Sequence, residues 1–242
     1  MHIIKLSATP STNDYLKQLY TQQVVTNFTI VVSSNQTNGK GQMGTYWEAE
    51  SGKNLTFSIL IKDLIVNVKQ LFTLNILVSL ALVEVLERYK IPNVTVKWPN
   101  DIMSGNLKLG GILIENSFKS NGEVVSIIGI GLNVNQLYFE KAPNATSLHF
   151  ISGRNYNLDD LLLDFCTSIK QNLILIEKES EKIWTNYHQK LFKKDTPMAF
   201  EDAKGKKFMG IIQKVSYDGL LHILLEDDSI AQFGIKEIKM LY

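Results

Sequence analysis

Apolar residues recur along the chain with the two periods that distinguish helices from strands. Over residues 71–89 they fall three and four positions apart, which is typical of a helix that buries one face, and Pro92 ends the pattern. The same spacing over residues 158–176 predicts a second helix, with Asn157 as its N-cap. A more polar helix is predicted over residues 179–191. We assign the two apolar stripes to the core and give them no function.

Short apolar or β-branched runs predict strands on both sides of the first of these helices. The runs cover residues 2–6, 28–34, 55–61, 94–96, 112–114 and 124–130. Between the first two runs, Ser11 followed by Asp14 predicts an N-cap and the start of a helix.

The last fifty residues have a different pattern, with short strands and turns alone. These strands are predicted over residues 198–200, 207–215, 220–225 and 230–233. We interpret this part as a small β-barrel module, and its boundary with the rest of the chain is predicted near residues 193–196.

Five polar clusters interrupt the apolar pattern, each at a strand end, a helix start or a glycine-rich loop. They are residues 11–13, 36–44, 97–101, 108–111 and 129–135. Any one of them could be an ordinary cap or hairpin, but all five together are much less expected by chance. They contain Lys40, Lys97 and Lys108, several neutral hydrogen-bonding groups and one carboxylate, that of Asp101. This set suits a ligand with phosphates and a carboxylate, whereas acid–base hydrolysis would use paired carboxylates or a histidine.

The glycine-rich cluster matches a nucleotide-binding pattern that its context contradicts. Gly39, Gly41 and Gly44 have the GxGxxG spacing of dinucleotide-binding loops, but that fingerprint must open a helix, and here a predicted strand follows. We therefore interpret residues 36–44 as a mobile flap. Its glycines permit close approach to a ligand, and Lys40 can meet an anion.

The cluster at residues 97–101 follows a predicted strand directly. Pro99 cannot donate a hydrogen bond to a neighbouring strand, so we expect it to end the strand. Asn100 and Asp101 are then predicted to point away from the sheet edge.

The strand predicted over residues 124–130, the last one before the terminal module, is also unusual. The turn signal Asn121–Gly122 precedes it. Gly129 lies inside it and Gly131 directly after it, which indicates that another group packs closely on the backbone. Asn133 and Asn135 are predicted to share one face, because strand side chains alternate with a period of two.

Composition narrows the class of protein. The chain has 242 residues, of which 45% are hydrophobic and 20% charged, so it can bury a core and is not disordered. A formal net charge of +1 argues against general nucleic-acid binding. Cys166 is the single cysteine, which excludes an internal disulfide and suits a reducing cytosol. It lies on an apolar helix stripe, so we assign it to the core and not to catalysis.

Targeting and metal-binding patterns are missing from the sequence. The stretch at residues 1–5 is too short and too polar for a signal peptide. The longest apolar run, over residues 71–86, is too short and too polar to span a bilayer. We therefore expect a cytoplasmic protein without a membrane segment. The four histidines have no metal-ligand spacing, and no hydrolase motif is present.

The ordered clusters resemble the motif series of the bacterial biotin protein ligases. The matching segments are STN at 11–13, QTxGKGQxG at 36–44, KWPND at 97–101, KLGGILIE at 108–115 and GIGLNV at 129–134. The resemblance extends from about residue 5 to residue 242, including the terminal β module. Because several motifs agree in order and spacing, it is far more specific than the lone GxGxxG.

The resemblance implies an α+β fold: a central mixed sheet flanked by helices, of the class II aminoacyl-tRNA synthetase and biotin ligase type. It implies a catalytic domain over residues 1–193 and an SH3-like β-barrel over residues 194–242. It also implies a two-step reaction, in which biotin and Mg-ATP give biotinyl-5′-AMP and pyrophosphate, and a lysine of a biotin carboxyl carrier domain then displaces AMP. Relatives form homodimers or remain monomeric, and an edge of the sheet could serve as the interface.

The resemblance also implies roles for individual residues. Lys108 would bridge the biotin carboxylate and the α-phosphate, and Lys40 would hold the same region from the flap. The implied biotin-binding residues are Ser11, Thr12, Asn13, Gln36, Gly39, Lys40, Gly41, Lys108, Gly110, Gly111, Gly129 and Gly131. The implied ATP or adenylate contacts are Trp47, Asn100, Asp101, Leu132 and Asn133. Asp101 is the implied metal ligand, for Mg²⁺, and Lys97 either supports the nucleotide or neutralises Asp101.

Two departures from the family pattern matter. The flap carries Lys40, Gln42 and Met43 where many relatives carry arginines, and lysine lacks the bidentate fork of arginine. We therefore predict weaker retention of the adenylate. Only ten residues precede Ser11, which leaves no room for the DNA-binding domain of some relatives, so we expect a ligase that does not bind DNA.

Two other functions remain open at this stage. A lipoate–protein ligase or octanoyl transferase would share the catalytic fold, although the clusters at 97–101 and 129–133 and the terminal module are not expected in it. A non-catalytic biotin or nucleotide sensor is the second alternative, and the presence of both Lys108 and Asp101 argues against it.

Overall fold

A computed structural model describes residues 1–62, 71–120, 122–140, 142–174 and 180–242. Parts of three predictions lie outside these residues, namely Asn121 of the predicted turn, Ile176 at the end of the second helix stripe and Glu179 at the start of the third helix.

The larger of two sheets has seven strands, with the order β1-β2-β3-β7-β6-β5-β4. The strands are β1 His2–Leu6, β2 Thr29–Ser33, β3 Leu55–Ile61, β4 Val94–Lys97, β5 Asp101–Ser104, β6 Leu107–Phe118 and β7 Val124–Leu132. Strands β1 and β2 pair in parallel, and the remaining neighbours pair antiparallel. The predicted mixed sheet flanked by helices is therefore confirmed.

Five helices accompany the described strands. They are α1 Thr12–Gln22, α2 Leu71–Arg88, α3 Leu148–Ser152, α4 Leu158–Ile174 and α5 Ser180–Lys190. The predicted caps are present: the Ser11 side chain accepts a hydrogen bond from the Asp14 N–H, and Asn157 accepts one from the Asp159 N–H at 2.9 Å. In the described part of the chain, no helix is long and apolar enough to cross a membrane.

Helix α3 lies between residues 138 and 155, where the sequence predicts neither a helix nor a strand. The Ser147 side chain accepts a hydrogen bond from the Phe150 N–H at 3.1 Å, and Gly153 ends the helix in a left-handed conformation. One and a half turns are too few to show a periodic stripe, so only the two caps could have indicated this helix.

The two faces of the central sheet are covered differently. On one face Phe57 and Ile59 pack in the main core with α2 and α4. On the other face Leu60 and Ile127 form a smaller cluster with Leu16 of α1. Helix α1 is only eleven residues long, so it covers one end of this face and leaves the other end free for a groove.

The second sheet is a five-stranded antiparallel module with the order β11-β10-β9-β8-β12. Its strands are β8 Pro197–Asp202, β9 Lys207–Val215, β10 Leu221–Leu225, β11 Ile230–Phe233 and β12 Ile238–Leu241. The module is compatible with the predicted SH3-like barrel. Strand β12 is not among the predicted strands. The proposed boundary near residues 193–196 stays a prediction.

The module is joined to the larger sheet through Trp98, which is buried. Its indole Nε1 donates a hydrogen bond to the Gly219 carbonyl oxygen at 2.9 Å. Gly219 lies on the turn between β9 and β10, with a φ of 86°, and an added Cβ would lie 2.8 Å from Phe72 of α2. The turn at this glycine is thus also a contact point between the module and the larger sheet.

Trp98→Phe is expected to lower the free energy of unfolding by about 1–3 kcal/mol, because the buried Gly219 carbonyl loses its donor. Chemical denaturation measures the change. Trp184→Phe is the matched control: Trp184 is also buried, and its indole N–H has no hydrogen-bond partner among the described residues. A loss of stability no greater than that of the control would contradict the importance of this hydrogen bond.

Candidate active site

The uncovered end of the α1 face forms a groove with a cavity of about 340 Å³. Members of all five polar clusters line it, so the structure brings these clusters together around one groove. The module also contributes to the wall, which the sequence did not indicate, through Ile235, Lys236, Ile238, Lys239 and Met240.

One end of the groove is a network of neutral hydrogen-bonding groups. The Gln36 Oε1 accepts hydrogen bonds from the Thr12 N–H at 2.8 Å and from its hydroxyl at 3.0 Å. The Ser58 hydroxyl lies 2.6 Å from the Asn13 Oδ1 and 2.7 Å from the Thr12 hydroxyl. The Asn13 Nδ2 donates to Glu115 at 2.8 Å. The start of α1 is therefore held in place before any ligand binds.

Ser58 and Glu115 were not among the predicted site residues. Both lie on the α1 face of the sheet by strand alternation, since Ser58 pairs with Gly129 and Glu115 pairs with Ile127. The signal that could have found Ser58 is a hydroxyl inside an otherwise apolar strand, next to a glycine of the neighbouring strand.

The glycines of the sheet permit close packing, as predicted, but their neighbours belong to the protein. A Cβ on Gly129 would clash with the Asn13 side chain, and one on Gly131 would lie 2.5 Å from the Trp47 indole. A Cβ on Gly110 would lie 2.7 Å from the Gly131 carbonyl oxygen. These three glycines therefore position side chains and strands, and their assignment as biotin contacts stays a prediction.

Gly111 differs from the other three because an added Cβ would make only ordinary van der Waals contacts there. The nearest atoms to an added Cβ would be the Lys108 Nζ at 3.6 Å and an Asp101 carboxylate oxygen at 3.7 Å. It therefore lies directly beside the charged end of the groove.

The charged end centres on Asp101, which lies between two lysines. The Lys108 Nζ is 2.6 Å from one carboxylate oxygen, and the Lys97 Nζ is 3.8 Å from the other. The Lys97 ammonium also lies 5.0 Å from the centroid of the Tyr242 ring. Of the two roles considered for Lys97, the contact with Asp101 is the one observed.

The prediction that Asn100 and Asp101 point off the sheet edge is wrong for Asp101. It is the first residue of β5 and pairs with Gly111 of β6. Asn100 lies in the tight connection between β4 and β5, and its Nδ2 donates to the Ile112 carbonyl at 2.7 Å. Pro99 does end β4, but the chain reverses at once and re-enters the sheet.

The flap is an ordered hairpin across the groove. The Trp47 N–H donates to the Gly39 carbonyl at 2.9 Å, and the Gly41 N–H donates to the Thr45 carbonyl at 2.7 Å. Lys40 forms an ion pair with Asp14 of α1 at 2.7 Å, and this hydrogen bond raises the pKa of Lys40. A short 3-10 turn over Gln42–Gly44 forms the tip, in agreement with the rejection of a helix-opening loop. The mobility of the flap stays a prediction.

The indole of Trp47 lies between the flap and the charged end. It packs on Gly131, and the Lys108 Nζ is 5.7 Å from its ring centroid. Gly39 and Gly41 face the Trp47 carbonyl and the Thr45 hydroxyl, respectively. These two glycines thus allow the two arms of the hairpin to approach each other closely.

Two predicted contacts, Leu132 and Asn133, lie beside the groove and do not line it. Strand β7 ends at Leu132, so the period of two does not relate Asn133 to Asn135, and that prediction is wrong. The Asn133 N–H donates to the Leu109 carbonyl at 2.8 Å, and the Asn135 side chain donates to the Tyr156 carbonyl at 2.9 Å. The role of Leu132 and Asn133 in binding adenylate stays a prediction.

The site does not fit a metal ion held by protein side chains alone. Among the described residues there is no group of three or more histidine, cysteine, aspartate or glutamate side chains that could hold a metal. Asp101 supplies one carboxylate, and both of its oxygens face lysines. Cys166 is fully buried, and burial raises the pKa of its thiol to about 12, which agrees with its assignment to the core.

Comparisons with known proteins identify relatives of this chain. The model of the biotin/lipoate A/B protein ligase family matches residues 6–135. The bifunctional ligase/repressor BirA of Bacillus spizizenii is 31% identical over 162 residues, which cover 65% of this chain and 47% of BirA. The biotin–[acetyl-CoA-carboxylase] ligase of Mycobacterium tuberculosis is 31% identical over 122 residues, or 49% of this chain and 44% of that protein. The chain thus spans about half the length of these curated relatives.

Among solved structures, a biotin protein ligase from Aquifex aeolicus in complex with biotin and ATP matches with a TM-score of 0.80 and 28% sequence identity. The match covers 99% of this chain and 98% of that one. The likeness therefore includes the sheet, the groove and the terminal module.

Proposed function

Because its residues 6–135 match the family model, the chain belongs to the biotin/lipoate A/B protein ligase family, and we propose that it attaches biotin to a carrier protein at the expense of ATP. In the first step an oxygen of the biotin carboxylate attacks the α-phosphorus of ATP, and pyrophosphate leaves. In the second step the amine of a carrier lysine attacks the carbonyl carbon of biotinyl-5′-AMP, loses a proton and displaces AMP.

The observation that carries this proposal is the Lys108–Asp101 pair in the groove, directly beside Gly111. A carboxylate is already ionised at pH 7, so the first step needs no strong base. It needs two anions held together and a cation where charge develops. In this proposal the Lys108 ammonium exchanges Asp101 for the ligand's carboxylate and α-phosphate, and Lys97 then neutralises Asp101.

The remaining residues have binding roles in this proposal. Thr12 and Gln36, with Ser11, bind the ureido ring of biotin at the neutral end of the groove. Lys40 leaves Asp14 to meet the phosphate. Trp47 covers the ligand from the flap and contacts adenine, together with Asn133.

Mg²⁺ in this proposal is bound mainly by the phosphates of ATP, because Mg²⁺ in nucleotide sites is usually held by one or two carboxylates and the substrate phosphates. Asp101 is the one carboxylate of the groove's charged end that is near enough to contribute. When bound, the ion would neutralise part of the negative charge of the phosphates. The positive charges of Lys97 and Lys108 would neutralise negative charge at the wall of the groove.

The test is to incubate the protein with biotin, Mg-ATP and a biotin carboxyl carrier domain. We expect the carrier to gain one biotin on a lysine, as measured by mass spectrometry, and pyrophosphate to appear when biotin and ATP are both present. Lipoate in place of biotin is the discriminating arm, since the family includes ligases for both acids. Pyrophosphate release with lipoate alone would overturn the choice of substrate, and binding of biotin without pyrophosphate release would identify a sensor.

A further inference from the structure

The flap hairpin is attached on both sides of the groove. On one side Lys40 pairs with Asp14 of α1. On the other side the Lys236 Nζ of the module donates a hydrogen bond to the Met43 carbonyl oxygen at 2.7 Å. The flap therefore spans the mouth of the groove from the central sheet to the β module.

The turn that carries Lys236 is fixed by its own hydrogen bonds. The Glu237 N–H donates to the Gly234 carbonyl at 3.2 Å, and the Gly234 N–H donates to the Glu237 carboxylate at 2.6 Å. Lys236 has a φ of 67° and Met43 a φ of 53°, so both contact partners lie at the tips of tight turns. The Lys236 side chain therefore extends from one tight turn to the Met43 carbonyl oxygen in another.

We infer that Lys236 is a positioning residue that retains the flap over the groove and thereby slows the release of the bound intermediate. This inference rests on the proposed function, since the intermediate is the biotinyl-adenylate. Lys236 acts through the flap backbone, because its partner is a carbonyl oxygen and not a side chain.

The contact defines which substitutions matter. Lys236→Ala removes the donor, whereas Lys236→Arg retains one. Lys207→Ala, at an exposed position of the same module, controls for the loss of a positive charge.

The first experiment measures how fast labelled biotinyl-adenylate leaves the whole protein in an excess of unlabelled biotin. We expect release to be about threefold to tenfold faster in Lys236→Ala, near the parent rate in Lys236→Arg, and unchanged in Lys207→Ala. The rate of adenylate formation at saturating substrates should change less than the release rate, which a general structural defect would not produce. Equal release from Lys236→Ala and the parent protein would overturn the inference.

A second measurement does not depend on activity. Amide hydrogen exchange of the unliganded protein reports the opening of the flap through the Gly41 and Trp47 N–H groups, which are hydrogen-bonded within the hairpin. We expect faster exchange in Lys236→Ala than in Lys207→Ala. If the parent protein makes no adenylate but this difference is seen, the proposed function fails while the attachment of the flap stands. Equal exchange in the two variants would overturn the attachment.

Discussion

Substitution of Lys108 by alanine is expected to slow the formation of biotinyl-5′-AMP by about a hundredfold to a thousandfold, which is the usual cost of removing one group that stabilises charge in a transition state. Lys108 lies 2.6 Å from Asp101 and 5.7 Å from the Trp47 ring centroid, so its ammonium is already at the charged end of the groove. Pyrophosphate release at saturating biotin and ATP measures the effect.

The matched control is Lys119→Ala. Lys119 follows the other end of β6 and forms an ion pair with Glu123 at 2.9 Å, so this variant also removes a lysine from an ion pair, far from the groove. It should release pyrophosphate at the parent rate. If Lys108→Ala labels the carrier domain as fast as the parent protein does, the assignment of Lys108 is wrong.

Substitution of Gly129 by alanine is expected to weaken biotin binding by about a hundredfold. The added methyl group would collide with the Asn13 side chain, which is held by Ser58 and Glu115 and cannot move without breaking that network. A displacement of about 1 Å at a binding group can cost two orders of magnitude. Isothermal titration with biotin measures the affinity, and thermal unfolding is expected to show a loss of about 1–3 kcal/mol from overpacking.

Gly111→Ala is the control for the stability of Gly129→Ala. It adds the same methyl group to the neighbouring strand, where the nearest atom would be 3.6 Å away, an ordinary contact distance. We expect its free energy of unfolding to stay close to that of the parent protein. Parent-like biotin affinity in Gly129→Ala would show that Asn13 does not need its observed position.

The long elements of the fold could be predicted because their apolar periods are local. Helix α2 and strand β3 repeat over enough residues to be distinguished from loops. Helix α3 could not, because five residues carry no helical period of their own, and the prediction also omitted strand β12. Their formation depends on neighbours that are distant in sequence.

Many residues of the groove were visible in the sequence, but the contacts between them were not. The five polar clusters were visible because amides, lysines and glycines interrupt apolar strands. Strand pairing, however, decided that Asp101 faces Gly111, and that Gly129 packs against the protein's own Asn13. The contribution of Lys236 from the module had no local signal at all, since its partner Met43 is 193 positions away in the chain.

Trp98 couples the docking of the module to the stability of the charged end of the groove. The residue lies between Lys97 and the turn at Asn100, and its indole N–H is hydrogen-bonded to a turn of the module. A ligand that stabilises the charged end of the groove therefore also stabilises the docking of the module, because both depend on the same short segment. By thermodynamic linkage, nucleotide binding should stabilise the docked module, and module docking should raise the affinity for the nucleotide. We therefore expect the two sheets to unfold as one cooperative unit when the groove is filled.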